Sequence, residues 1–257
     1  MKIRASMLPG YADCARRASA SQWRKMVNDA GFRLRRTLPT VGATVGTAVH
    51  KGAAILLKSA GTLKVDDALS EVVTAFREEI REGVTWDDTT PETRTAEQQI
   101  IRMLRVYAHA MATEQVTRIE SEFEGDLGNG RILSGHPDLV TVTNTIRDIK
   151  TGKVSRPHHA QLGAYAILVE NQEIPVAGLA VDFLKRVPLN KPQPEIVSKS
   201  YAVRSSMRIA WALINQIIRD MDLFIKTGDS ACFTANPMSM MCNEKFCPAF
   251  GTKWCEL

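Results

Sequence analysis

The chain has 257 residues, 44% of them hydrophobic, with 33 Lys and Arg against 28 Asp and Glu and a formal charge of +5. This length supports one sizeable core with appended helices, and the composition excludes a disordered or collagen-like chain. No apolar run is long enough to span a bilayer and no export signal begins the chain. We therefore expect a cytoplasmic protein that has no membrane partner, or one that lies in the host cytoplasm if its origin is viral.

Hydrophobic periodicity predicts an N-terminal helical layer followed by a strand-rich region. The predicted helices of this layer cover residues 12–29, 44–59, 66–82 and 92–118. Downstream, strands are predicted near 119–127, 131–141 and 145–150, a helix at 160–168, and strands near 176–185 and 194–202. A long helix from about 205 to 226 precedes a cysteine-rich tail. This order predicts an α/β chain with a mixed β-sheet core.

Residues 135–165, GHPDLVTVTNTIRDIKTGKVSRPHHAQLGAY, combine acidic, basic and amide side chains around a polar turn. The Thr-Asn-Thr turn predicts a hairpin that sets Asp138 beside the strand ending at Lys150. Because side chains alternate along a strand, Asp148 and Lys150 share one face while Ile149 points into the core. Two carboxylates and an ammonium group therefore converge on one edge of the sheet.

Such a pair of carboxylates favours a hard divalent cation, because the two negative charges otherwise repel each other. Magnesium or manganese fits oxygen ligands of this kind. A cation between Asp138 and Asp148 would polarise a phosphoryl oxygen and lower the pKa of a bound water molecule. Lys150 would orient that water or neutralise charge that develops on the phosphorus. The pattern indicates hydrolysis of a phosphodiester.

The same residues resemble the motif of the PD-(D/E)XK nuclease superfamily, which stands here as Pro137-Asp138, nine intervening residues, and Asp148-Ile149-Lys150. The resemblance implies a restriction-endonuclease-like α/β fold, in which helices flank the mixed sheet. It also implies that both aspartates are metal ligands, that the Ile149 carbonyl is a backbone ligand, and that Lys150 is the catalytic lysine.

Two more motifs look like those of the RecB-like branch of this superfamily. Gln161 and Tyr165, four residues apart on one face of the predicted helix, match its Gln-x-x-x-Tyr motif, which implies that they position the scissile phosphate or the attacking water. Residues 46–50, Gly-Thr-Ala-Val-His, match its Gly-x-x-x-His helix, which implies that His50 is a further metal ligand. An imidazole in an oxygen site favours manganese.

Acidic side chains also alternate on the strand predicted just before the motif. Glu120, Glu122 and Glu124 share one face of that strand, so one of them could line the site, and Glu120 is the candidate. The alternative for at least two of them is a solvent-exposed strand face.

Cysteines are concentrated at the two ends of the chain, and without an export signal they argue against a disulfide framework. Some RecB-like nucleases bind a 4Fe-4S cluster through one cysteine before the nuclease core and three after it, and this chain resembles that layout. The resemblance implies Cys14, Cys242, Cys247 and Cys255 as ligands. A zinc site with Cys232 in place of Cys14 is the alternative, and it would also suit a regulatory protein without nuclease chemistry.

The resemblance implies a metal-dependent deoxyribonuclease that acts in DNA recombination, repair or processing, with exonuclease action on DNA ends ranked above endonuclease action. Its partners would be single-stranded or duplex DNA ends and a helicase or recombination protein. The alternative is a catalytically silent DNA-binding or scaffold subunit of such a complex. Basic residues are concentrated in the first 36 positions. They either contact phosphates or form a solvent-exposed helix face.

A single nuclease domain is expected to cover residues 1–257. Its helical part and insertion would occupy about 1–118, and its catalytic core about 119–203 together with the helix at 44–59. The C-terminal helix and the cysteine-rich tail would occupy about 204–257.

Overall fold

Two mixed β-sheets flanked by helices make up the computed structural model, which describes residues 1–59, 65–152 and 157–256. The smaller sheet has the order β1-β4-β3, formed by Lys2–Arg4 (β1), Arg131–Gly135 (β4) and Phe123–Gly128 (β3). The larger sheet has the order β2-β5-β6-β7-β8, formed by Val116–Ile119 (β2), Leu139–Thr141 (β5), Thr145–Lys150 (β6), Gly178–Phe183 (β7) and Val197–Tyr201 (β8). The pairs β1–β4 and β6–β7 are parallel, and the other pairs are antiparallel.

The helices form layers on both sides of the larger sheet. They are Leu8–Asp13 (α1), Ala15–Gln22 (α2), Arg24–Asp29 (α3), Val41–Lys58 (α4), Val65–Glu79 (α5), Thr93–Ala110 (α6), His159–Glu170 (α7) and Val203–Thr227 (α8). Short 3-10 turns lie at Ala5–Met7, Ile80–Glu82 and Ser230–Cys232. Within the described residues, no helix is both long enough and apolar enough to cross a membrane.

Alternation along β5 and β6 divides the core into two apolar clusters. Leu139 and Ile149 pack with α4, α5 and α6 on one side of the sheet, whereas Val140 and Ile146 pack with α7 and α8 on the other. The predicted inward orientation of Ile149 is confirmed, since this residue is 1% exposed. Helices α7 and α8 approach so closely at Gly163 that an added Cβ would lie 2.0 Å from a backbone oxygen of α8.

Two of the predicted helices have the wrong extent. The helix predicted at 12–29 breaks at Cys14, whose backbone is extended with φ −156° and ψ 102°, and again at Trp23. The helix predicted at 92–118 ends at Ala110, and the β-branched segment Val116–Ile119 pairs with β5 instead. The N-terminal region expected to be helical also contains β1, which completes the smaller sheet.

Two predicted strands are each divided between the two sheets. The strand predicted at 119–127 breaks after β2 because Glu120 adopts a left-handed backbone with φ 48°. The strand predicted at 131–141 breaks around Pro137, which has no N–H to donate to a sheet ladder. Each break lets the chain pass from one sheet to the other beside Asp138, so these interruptions shape the site.

Candidate active site and cysteine cavity

The hairpin predicted around Asp138 is present and fixes this side chain. Leu139 pairs with Arg147 and Val140 with Ile146, and the turn contains Asn144 in a left-handed conformation. This register brings Asp138 to the start of β5, where the backbone N–H of Ile149 donates to its Oδ2 at 2.5 Å. The carboxylate is 6% exposed, so its orientation is set by the strand backbone.

Helix α4 brings His50 to the same carboxylate. The helix is capped by Thr40, whose Oγ1 accepts a hydrogen bond from the N–H of Ala43, and it brings His50 Nδ1 to 2.5 Å from Asp138 Oδ1. Burial would lower the pKa of His50, but the Asp138 charge outweighs it and the pKa is raised. Conversely, burial would raise the pKa of Asp138, but His50 and the Ile149 N–H hold it below its ordinary value.

Asp148, Lys150, Gln161 and Tyr165 form a second group next to this pair. Lys150 Nζ lies 2.6 Å from Asp148 Oδ2, while the amide of Gln161 donates to Asp148 Oδ1 at 3.2 Å and to the Tyr165 hydroxyl at 2.8 Å. Burial and the Asp138 charge, opposed by Lys150, raise the pKa of Asp148 to about 6. Burial raises the pKa of Tyr165 well above its ordinary value, so its hydroxyl stays neutral.

Glu120, the candidate among the three alternating glutamates, lies in this acidic site. Within the described part of the chain, ligand atoms of His50, Glu120 and Asp138 all lie within 4.8 Å of one another. The left-handed backbone of Glu120 ends β2 and separates it from Glu122 and Glu124, which pair with a lysine of β1. Burial, followed by repulsion from Asp138, raises the pKa of Glu120 to about 7.

These groups lie in an open cleft of about 1340 Å³, lined by both sheets and by α4. Lys51 and Lys58 of α4 line one part of the cleft, and Lys2 and Arg4 of β1 line another. The basic residues that the sequence singled out in the first 36 positions, from Arg16 to Arg36, are not among the lining residues described. The cations of the cleft come instead from β1 and α4.

A second, small and largely enclosed cavity is lined by the four cysteines predicted as cluster ligands: Cys14, Cys242, Cys247 and Cys255. Cys232 is not among the lining residues and lies 3.5 Å from the Thr227 hydroxyl. Burial raises the pKa values of the Cys247 and Cys255 thiols, and neighbouring thiols add to the effect. These four cysteines are the set that the family resemblance implied, and their role as ligands stays a prediction.

A mixed-sheet α/β fold with buried carboxylates and a lysine at the hairpin defines a restriction-endonuclease-like protein. The sequence profile of the PD-(D/E)XK nuclease superfamily matches residues 4–255, so the chain belongs to this superfamily. No curated protein sequence matches the chain significantly.

Solved structures with low sequence identity also resemble the chain. The protein named "Putative exonuclease" from Eubacterium rectale is 13% identical, with a TM-score of 0.46 over 74% of this chain and 73% of that protein. The alkaline exonuclease LHK-Exo from Laribacter hongkongensis is 10% identical, with a TM-score of 0.34 over 70% of this chain and 95% of that protein. A complex of LHK-Exo with dAMP is 12% identical over 70% of this chain and 96% of that protein, also with a TM-score of 0.34.

Proposed function

We propose that this protein is a metal-dependent deoxyribonuclease that degrades DNA from its ends. The observation that carries the proposal is the convergence of His50, Glu120 and Asp138 within 4.8 Å, next to the Asp148–Lys150 ion pair, in a cleft edged by cations. An imidazole with carboxylate oxygens is a donor set that suits manganese or magnesium. When bound, such an ion polarises a phosphoryl oxygen and activates water for attack.

The metal ligands that we assign are His50, Asp138, Asp148 and the Ile149 carbonyl, and we add Glu120. Asp148 fits this role because its carboxylate is buried and lines the same cleft, with its Oδ2 held 2.6 Å from the Lys150 ammonium. A buried carboxylate requires a cationic partner, which the lysine supplies here and which a metal ion would share.

The protein's own groups then have distinct tasks. Lys150 supplies a positive charge where negative charge develops on the phosphate, and it can orient the attacking water. Gln161 holds Asp148 and Tyr165 together through one amide, which leaves the Tyr165 proton available for a phosphate oxygen. Because the side chains of Lys150, Gln161 and Tyr165 are held by neighbours before substrate arrives, little reorganisation is required during the reaction.

DNA as the substrate is supported by the size and charge of the cleft. Its volume exceeds the roughly 300–1,000 Å³ of small-molecule pockets, which suits a segment of a polymer. Lysine and arginine side chains along both edges would contact phosphates without reading sequence. We rank exonuclease above endonuclease action, and we place the protein in DNA recombination, repair or processing.

Incubation of end-labelled linear DNA and closed circular DNA with Mg²⁺ or Mn²⁺ tests this function. We expect metal-dependent loss of the linear substrate, survival of the circle, and a large loss of cleavage rate in Lys150→Ala and Asp148→Ala. Lys226→Ala, an exposed lysine at the end of α8, is the matched control and should behave as wild type. Metal-dependent binding without cleavage would instead favour the silent DNA-binding subunit.

We further propose that Cys14, Cys242, Cys247 and Cys255 bind a 4Fe-4S cluster with a structural role. Four thiols around one cavity form a donor set that suits such a cluster, and also zinc. We favour Cys14 over Cys232 because only Cys14 of the two lines the cavity. The cluster would join the N-terminal helices to the C-terminal tail.

Iron and sulfide analysis of protein purified without oxygen tests this assignment. We expect Cys14→Ser to lose iron and brown colour, and the matched variant Cys232→Ser to retain both. Zinc in place of iron would contradict the cluster, and iron loss from Cys232→Ser alone would contradict the ligand set.

A further inference from the structure

Helix α4 meets the larger sheet at three positions that lie four residues apart: Gly42, Gly46 and His50. Residues at this spacing project from the same side of a helix. His50 is the position that contacts Asp138, with its Nδ1 2.5 Å from the carboxylate Oδ1. The two glycines lie against side chains that follow the ends of neighbouring strands. The depth at which α4 lies on the sheet is therefore set at these glycines.

Thr151 is the residue that α4 meets at Gly46. A Cβ on Gly46 would lie 3.0 Å from the Thr151 Oγ1, which is tighter than most Cβ contacts in proteins. Thr151 directly follows β6 and is 7% exposed, and the Lys150 carbonyl before it accepts from the N–H of Leu184 at 2.8 Å. This backbone bond joins the ends of the parallel strands β6 and β7. The backbone of Thr151 can therefore move little away from the helix.

Arg186, three residues beyond β7, meets α4 at Gly42 in the same way. A Cβ on Gly42 would lie 3.0 Å from the Arg186 Nη2. The guanidinium is buried: its Nη2 donates to Asp87 at 2.7 Å, and its Nη1 donates to Asp87 at 3.3 Å and to the Thr90 hydroxyl. Because breaking a buried ion pair is costly, the guanidinium is not free to shift away from the helix.

Helix α6 fixes this ion pair in turn through Gln99, which is 1% exposed. The Thr90 hydroxyl donates to Gln99 Oε1 at 2.7 Å. The Gln99 amide donates to the carbonyls of Thr89 at 2.8 Å and of Val187 at 2.9 Å. One side chain thus holds the segments on both sides of the Arg186 guanidinium. The two glycines of α4 therefore face two fixed side chains, one after β6 and one after β7.

We propose that Thr151 and Arg186 are positioning residues for His50. Through the two glycines they set the depth of α4 on the sheet, which holds the imidazole where it and the Asp138 carboxylate can share a divalent cation. Metal sites require their ligands to be held within about 0.5 Å of the productive geometry, so a methyl group added between helix and sheet should weaken metal binding. This inference rests on the metal site proposed above and concerns how that site is held together.

Calorimetric titration of the metal-free protein with Mn²⁺ tests the contact at Gly46, and the melting temperature of the metal-free protein is measured alongside. Gly46→Ala should weaken Mn²⁺ binding about tenfold, the size of effect that groups supporting a metal ligand usually have, although alanine is the better helix former. Adding Thr151→Ala removes the Oγ1 that the new methyl group meets, and should restore most of the lost affinity. Adding Thr151→Val instead keeps an atom at that place and should restore none.

Two more substitutions on α4 complete the comparison. Gly42→Ala should also weaken Mn²⁺ binding, because its methyl group meets the fixed Arg186 guanidinium. Gly52→Ala is the matched control on the same helix, since its methyl group would lie 2.4 Å from Leu104 of α6 and not against the sheet. Gly52→Ala should lower the melting temperature, and Thr151→Ala should not reverse its effects.

The possible outcomes separate this inference from the metal site itself. Wild-type protein that binds no Mn²⁺ would overturn both. If the wild type binds Mn²⁺, unchanged affinity in Gly46→Ala, or equal affinities with Thr151→Ala and Thr151→Val added, would overturn only the positioning role. If Gly46→Ala does not fold, Gly42→Ala probes the same helix depth, and wild-type affinity in that variant would overturn the positioning role as well.

Discussion

The acidic site in the cleft and the cysteine cavity are both assembled from distant parts of the chain, but different interactions hold them. In the cleft, strand pairing and α4 orient Asp138, which accepts from the Ile149 backbone and contacts His50 at 2.5 Å. Around the cavity, the described part of the tail after residue 232 lacks helix and strand. It is attached by hydrogen bonds, such as the one from Asn236 to the Asp13 carbonyl at 2.9 Å, and by packing of Phe233 and Trp254 against Phe224 of α8.

This difference predicts different roles for the groups that the two sites bind. Because backbone pairing sets the cleft, its geometry should persist without a metal ion, and a change there should affect chemistry rather than folding. Because turns set the cavity, its geometry should depend on the bound group, and loss of that group should affect folding. The first three predictions below test this contrast, in order of expected effect, and the last concerns the edges of the cleft.

The largest effect is expected from Lys150→Ala. Removing this cation from a preorganised site should lower the rate of DNA cleavage by roughly 10²–10³-fold. The melting temperature should remain close to that of the wild type, since Lys150 is only partly buried and belongs to a paired strand. Initial rates on end-labelled DNA and a thermal unfolding curve measure both quantities. A variant that loses activity only because it unfolds would contradict the contrast.

Cys247→Ser should give the opposite result. Loss of a ligand from the buried cavity should release the bound group, expose the tail to protease, and lower the melting temperature by at least about 5 °C. Any remaining folded protein should still bind Mn²⁺ in the cleft. Calorimetry and limited proteolysis check this expectation, with Cys232→Ser as the matched variant. Equal stability of the two variants would show that the cavity does not depend on its contents.

Features of the site that depend on local patterns were predicted from the sequence, whereas features that depend on the rest of the fold were not. Short-range patterns predicted the hairpin at Asp138, the burial of Ile149 and the shared helix face of Gln161 and Tyr165, because strand alternation and helical spacing act locally. Alternation named Glu120 as a candidate but could not show why Glu122 and Glu124 lie elsewhere, since that depends on the left-handed backbone of Glu120.

Connections between the sheets were also outside what local patterns could predict. Strand β1 is three residues long and pairs only with β4, more than a hundred positions away, so it has almost no local signal. The cations of the cleft were missed for the same reason, because Lys2 and Arg4 reach it only through this pairing. The cysteine set was predicted through a family resemblance rather than through spacing alone.

Metal affinity in the cleft should depend on pH in a direction set by two raised pKa values. Burial raises the pKa of Glu120 to about 7 and that of Asp148 to about 6, with Asp138 adding to both shifts and His50 and a lysine opposing them. Binding of Mn²⁺ must displace these protons, so affinity should change little between pH 8 and 7 and then fall with a slope that approaches about tenfold per pH unit for each protonated group as pH drops to 5.5.

The stability of the metal-free protein should move the other way. A carboxyl group with a raised pKa binds its proton more tightly when folded, so Glu120 and Asp148 stabilise the fold as pH falls through 7 and 6 towards their ordinary range. Thermal unfolding at pH 8 and 5.5, with and without Mn²⁺, should therefore show the largest metal-induced gain at pH 8. In Glu120→Gln this pH dependence should be weaker. An unchanged pH dependence would show that Glu120 takes no part in metal binding.

The smallest effect is expected at the edges of the cleft, from Arg4→Gln and Lys58→Gln. Both side chains are exposed and, across the described ranges, neither has an ion-pair partner, so they are available for phosphates. Each substitution should reduce the slope of log affinity against log salt by about 1 and weaken DNA binding uniformly across sequences. Lys25→Gln is the control, because Lys25 is exposed but paired with Asp29 away from the cleft. Titrations of labelled DNA in Ca²⁺ at several salt concentrations measure the slope. Equal slopes in all three variants would show that Arg4 and Lys58 do not contact DNA.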